Sequence, residues 1–246
     1  MGYLDQRAAN PWRVRATTAW PRAILQCYFF VLLASAVPGG DSRAFAFEGA
    51  VVLILTLPMS ISISSVPASD KWMGTFYRIR LGGMRAVTVI ALRSVPWLVD
   101  AFIMVVLSTL FVGALTDQMF LALKLLALTP LLMLMAVTNA AAGLAVASIA
   151  VGRNADVLLG NAMMYLIIAA GGIAEPVGRL PWLDMIGQIL PLRNGLLALR
   201  ALVGGRPWAA HLLVELGVGA AWALLAIVGY SYQIVHARRK GIDAFA

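Results

Sequence analysis

The sequence predicts an all-α membrane protein of six transmembrane helices, on three observations. Apolar stretches at 21–37, 47–66, 94–115, 125–151, 157–174 and 209–235 take up most of the 246 residues, and each bilayer crossing needs about 20 apolar residues. Hydrophobic residues are 61% of the chain and charged ones 12%, more apolar surface than a water-soluble core buries. No segment between the stretches is long enough to fold as a soluble domain, so one transmembrane domain is expected over 1–246. The stretches lack the short alternation of barrel strands, and a helix satisfies its backbone groups internally in lipid.

Orientation follows from the basic residues. With a cytoplasmic N-terminus, Arg43, Lys124, Arg179, Arg193, Arg200 and Arg206 fall outside and the rest of the 19 Lys and Arg fall inside. The positive-inside rule then places both termini in the cytoplasm. It also accounts for the net charge of +8 without a nucleic-acid partner.

Asn10-Pro11 is a helix-start signal, and Trp12, Ala16 and Trp20 recur at helical spacing beside Arg13, Arg15 and Arg22. This predicts an N-terminal helix lying along the inner membrane surface before the first span. Cys27, the only cysteine, lies inside that span and excludes an internal disulfide. In the second span Thr56, Ser60 and Ser64 share a face, as a polar path or as close-packing positions. The run from Asn139 through Gly143 to Ala147 in the fourth span reads as a packing seam.

Between the second and third spans, Trp72, Phe76 and Ile79 fall on one helical face, with Lys71 and Arg78 on another. Such a helix rests on lipid or inserts into a groove on a partner. After the fifth span, Gly171-Gly172, Glu175-Pro176, Leu180-Pro181 and Leu190-Pro191 prevent one continuous helix. Two short half-helices dipping into the outer leaflet before the sixth span are expected instead, since their many apolar residues make a hydrated loop costly.

Catalytic signatures are absent: there is no GxxxxGK[ST] phosphate loop, no HExxH and no GxSxG. No metal site is expected from two distant histidines and one cysteine. Ionisable groups inside spans are functional candidates by default. Asp100 is expected to pair with Arg93, seven residues earlier on the same face, and a Lys124 to Glu215 pair is conceivable near the outer side.

Together these features resemble the permease subunits of type-2 ATP-binding-cassette exporters. In that family the inner loop carries an acidic residue, a basic residue and then Gly-Thr-Leu-Glu. Here Asp70, Lys71, Gly74 and Thr75 match, while Phe76 and Tyr77 depart from it. Further along, Asn161, Gly172, Pro176, Leu180-Pro181, Leu190-Pro191, Leu199-Arg200 and Gly204-Gly205 follow the family's order, with Glu175 where an aromatic is common.

The resemblance implies an ATP-driven exporter in a bacterial cytoplasmic membrane, built from two permease chains, identical or homologous, and two separate ATPase subunits that hold ATP and Mg. This chain would then be no enzyme and carry no cofactor. Residues 69–80 would form the coupling helix, with Asp70, Lys71, Trp72, Gly74, Thr75, Phe76, Tyr77 and Arg78 meeting the ATPase. Ser60, Ser64, Asn161 and Tyr165 would be pathway candidates, capped by an outer region that includes Gly172, Glu175, Pro176, Pro181, Pro191 and Arg200. The scarcity of charge in the spans favours an amphiphilic or lipophilic cargo: a drug, natural product, peptide or lipid-linked glycan. A non-transporting anchor or immunity-type component, and an ion-coupled transporter acting through Asp100, are the alternatives.

Overall fold

Prolines set several of the helix boundaries in this chain. The computed structural model describes residues 11–35, 42–57, 62–63, 66–67, 86–150, 155–173 and 180–240, and among these every regular element is a helix.

The first helical run corrects an expectation. Trp12–Val14 (α1) passes through a π-helical turn at Arg15–Ala19 directly into Trp20–Ser35 (α2), with no break between a surface helix and the first span. Pro21, two residues past the turn, lacks an N–H and crowds the carbonyl four residues back, and local widening of the helix is one way to absorb that. The Thr17 and Thr18 hydroxyls donate back to the Arg13 and Val14 carbonyls at 2.9 and 2.6 Å.

The next helix, Ser42–Leu57 (α3), begins earlier than expected. Ala86–Leu115 (α4) begins eight residues before the expected boundary and carries Pro96 inside it. The fourth expected span is two helices, Met119–Ala127 (α5) and Thr129–Ala150 (α6), parted at Leu128. Pro130 explains the division, because proline suits the first turn of a helix and not its interior. Lys124 therefore sits on the short α5, its ammonium 4.7 Å from the centre of the Phe120 ring.

Asp156–Ala170 (α7) follows, then two short helices at Pro181–Ile189 (α8) and Arg193–Val203 (α9), and finally Ala209–Lys240 (α10). Among the described residues, three segments are long and apolar enough to cross a bilayer: Thr88–Leu115 in α4, Thr129–Ala150 in α6 and Ala209–Gln233 in α10. The 15 residues of α7 span about 22 Å at ~1.5 Å each, short of a hydrocarbon core of about 30 Å.

The centre of the bundle is α6. Two thirds of its apolar window is buried against 17% for α10, and Asn139, Gly143 and Ala147 are all buried. α10 lies along it through glycines. A Cβ on Gly219 would come within 2.4 Å of Thr138 Cγ2, and one on Gly229 within 2.9 Å of Ser148 Cβ. On the opposite side, α2 packs against α3 and α4, while α3 also meets α6, α7 and α9. Phe47, Val51, Val52 and Leu55 of α3 fill the core with Leu132 and Met135 of α6.

Candidate functional site

The helical hairpin α8–α9 is held to the bundle by polar contacts that only distant residues supply. Its link has extended backbone at Leu190, as expected before Pro191, and then turns sharply at Leu192, whose φ is +74°. A bulky residue in the left-handed region is strained and persists only where its surroundings hold it. The holding group is Glu215. Its Oε1 accepts from the Leu192 N–H at 3.0 Å and from the Thr138 hydroxyl at 2.5 Å, while Oε2 accepts from the Gly195 N–H at 3.0 Å.

Glu215 is fully buried on α10, yet its carboxylate meets the start of α9, where a helix presents unpaired N–H groups and partial positive charge. A side chain from another helix thus does the work of an N-cap. This corrects the conceived Lys124 to Glu215 pair: Lys124 is exposed on α5 over Phe120, and Glu215 serves α9.

The hairpin is also clamped internally. Arg193, 4% exposed, donates through one guanidinium nitrogen to the Asp184 carbonyl and through the other to its carboxylate at 2.8 Å. Gly187 makes room for this, since a Cβ there would collide with the Arg193 side chain and the Ala170 carbonyl.

The far end of α9 is tied by Arg200. Its Nε lies 3.3 Å from Glu48 Oε2 on α3, its other nitrogens donate to the carbonyls of Gly172 and Phe45 at 2.8 and 3.3 Å, and its guanidinium stacks 3.6 Å from the Phe45 ring. Gly172, at φ +74°, turns the chain after α7 so that its carbonyl faces Arg200. Gly49 lets α3 approach this turn, since a Cβ there would strike the Ile173 carbonyl. One guanidinium therefore joins α9, α3 and the end of α7.

The hairpin lies deep beside α10. Trp222 Nε1 donates to the Ile189 carbonyl at 2.8 Å, and Trp222 is about 20 Å along the helix from Ala209 at ~1.5 Å per residue. The two half-helices read from the prolines are thus present, and their connecting turn runs alongside the long helix, well below its end. Pro181 opens α8 in its first turn, as the missing N–H allows.

Asp100 is paired, but not with Arg93. Its Oδ1 accepts from Arg15 Nη1 at 3.0 Å, and both side chains are largely buried. Two full turns, about 10 Å of rise, separate residues seven apart, which is more than the expected Arg93 pair can bridge comfortably. The pair instead joins the π-helical turn to α4. Arg15→Glu and Asp100→Arg should each lower thermal stability by about 3 kcal/mol, since each breaks a buried pair and sets two like charges together. The double exchange should restore most of the loss in a thermal melt of the purified chain, and a double variant no better than the singles would show that the two charges do not stabilise each other.

Of the pathway candidates, Asn161 and Tyr165 lie one turn apart on α7, Asn161 half-buried and Tyr165 exposed, whereas Ser60 and Ser64 lie outside the described residues. Glu175 and Pro176 also lie outside them, as does the whole coupling segment with Asp70, Lys71, Trp72, Gly74, Thr75, Phe76, Tyr77 and Arg78. Glu48, Asp184, Arg193 and Thr138 were missed as site residues. Glu48, 8% exposed, carried a usable sequence signal as a carboxylate one residue into an apolar run, while Asp184 and Arg193 fall in the stretch between the fifth and sixth expected spans and Thr138 just precedes the small-residue seam.

Among the described residues no group of three or more His, Cys, Asp or Glu is placed to hold a metal ion. A search of curated proteins finds no match. Residues 4–203 match the family described as ABC-2 type transporter, a span that contains the α8–α9 hairpin to its last residue. Members of this family are integral, multi-pass membrane permeases without ATPase catalytic motifs, and they generally pair with ABC ATPase subunits. With more than half of its length matched, the chain belongs to the ABC-2 type transporter family.

Proposed function

We propose that this chain is the transmembrane subunit of an ATP-driven exporter, moving an amphiphilic or lipophilic cargo out of a bacterial cell through six spans, with both termini in the cytoplasm. ATP and Mg reside on a separate ATPase. A second permease chain completes the pathway, with Asn161 and Tyr165 of α7 and Ser60 and Ser64 of the second span facing it. The observation that carries this reading is the α8–α9 hairpin, bound at one end by Glu215 of α10 and at the other by Glu48 of α3. A cap fastened to two separate helices follows their relative movement, so a displacement of the spans by the ATPase is conveyed to it. The ion-coupled alternative loses ground, because Asp100 already carries Arg15 as its counter-ion.

The coupling role of residues 69–80 is tested by Trp72→Ala combined with Phe76→Ala. The double variant is expected to lose co-purification of the ATPase while the membrane domain keeps its melting temperature. Undiminished association would remove the docking assignment. ATP-dependent cargo uptake into inverted vesicles holding the reconstituted complex separates the exporter from a non-transporting anchor.

A further inference from the structure

Tyr230, in the C-terminal part of α10, is 1% exposed and is the largest buried member of an apolar cluster that also holds Val66, Ile90 and Ala147, with Trp97 and Leu144 packed against it. Two of these residues are adjacent to the segment read as the ATPase contact. Val66 lies just before residues 69–80 in the chain and Ile90, in the second turn of α4, just after them, so the chain on both sides of that segment enters one cluster with Tyr230. The ring is also fixed in height against α6. Gly229 lets α10 approach, since a Cβ there would collide with the Ser148 hydroxyl, and Gln233 Nε2 donates to the Ser148 carbonyl at 3.2 Å. The Tyr230 hydroxyl is buried without a hydrogen-bond partner among the described residues, so the ring joins the cluster by packing alone.

The same helix holds the hairpin. From Tyr230 to Glu215, α10 rises about 22 Å at ~1.5 Å per residue with no proline to break it, and Glu215 binds Leu192 and Gly195 at the start of α9. Close-packed side chains transmit a displacement rather than absorb it. We infer that Tyr230 is the positioning residue through which movement of the ATPase-coupling segment reaches the α8–α9 hairpin. A shift of Val66 and Ile90 passes through the ring to α10, and Glu215 carries it to Leu192 and Gly195. The inference rests on the reading of 69–80 as the segment that meets the ATPase.

Hydrogen exchange of the full chain in complex with its ATPase, nucleotide-free and trapped with ATP and vanadate, tests it. In the wild type, exchange at residues 192–196 is expected to change on trapping. Tyr230→Ala and, independently, the milder Ile90→Ala should lose most of that change while the ATPase still co-purifies. Tyr230→Phe keeps the ring and should keep the response, as should Val228→Ala, which is 56% exposed on the same helix. Alanine variants that melt earlier but still respond at 192–196 would show a ring that only fills space, and would overturn the inference. So would a wild-type hairpin that does not respond, loss of the response in Val228→Ala, or its loss in Tyr230→Phe, which would place the coupling in the hydroxyl. Loss of the ATPase from Tyr230→Ala alone would overturn it in favour of a docking role. A wild-type chain that retains no ATPase would overturn the reading of 69–80 itself, and is told apart by co-purification before any exchange is measured.

Discussion

Glu215→Leu is expected to lower the stability of the purified chain by about 3 kcal/mol and to loosen the start of α9. The carboxylate takes the N–H groups of Leu192 and Gly195, and among the described residues neither has another acceptor. Each buried donor left unpaired costs about 1–3 kcal/mol. The Thr138 hydroxyl suffers less, because the Met135 carbonyl lies 3.1 Å away and remains available. Leu192 also relies on this carboxylate to hold its left-handed backbone, so hydrogen exchange at residues 192–196 should quicken before the rest of the chain is affected. Glu215→Gln keeps one acceptor oxygen but turns an NH2 toward the helix start and removes the charge that suits it. An intermediate loss is therefore expected from thermal melts, and a Leu variant as stable as wild type with unchanged exchange at 192–196 would show that the cap carries no load.

The second large effect is expected at Arg200. Arg200→Ala takes away the counter-ion of Glu48, itself only 8% exposed, and the donors to the Gly172 and Phe45 carbonyls. Breaking a buried pair from one side costs about 3–5 kcal/mol, whereas replacing both members by apolar groups is often close to neutral. Glu48→Leu with Arg200→Leu should therefore be clearly more stable than Arg200→Ala. The double variant also separates stability from transport. It keeps the fold but removes the tie between α9 and α3, so vesicles carrying it should retain the ATPase and lose most ATP-dependent cargo movement. A double variant that transports normally would show that the hairpin does not need to follow α3.

Much of the architecture is legible in the sequence because lipid imposes a simple rule. Apolar runs must be helical, and α4, α6 and α10 lie within or around runs read from composition alone. Prolines and glycines are equally local. Pro181 and Pro191 mark the half-helices, and Pro130 accounts for the break between α5 and α6. The π-helical turn before Pro21 was not foreseen, because its effect depends on how the helix relaxes around the ring.

The candidate site was less legible. Asp100 was singled out, but its partner was sought at a helical spacing on the same element, while Arg15 comes from a helix 85 residues away. Glu48 and Arg200 meet across still more of the chain, and Leu192 gives no hint of a positive φ because it is not glycine.

Composition and periodicity by themselves determined that this chain is a helical membrane protein with a proline-punctuated hairpin before its last span, since each of those properties is set by residues close together in the chain. Only the tertiary structure decided which charges are neutralised by which: Asp100 by Arg15, Glu48 by Arg200, and Glu215 by the start of α9. A buried charge needs a partner at about 3 Å in space. Nothing in its neighbourhood along the sequence specifies which helix will bring that partner.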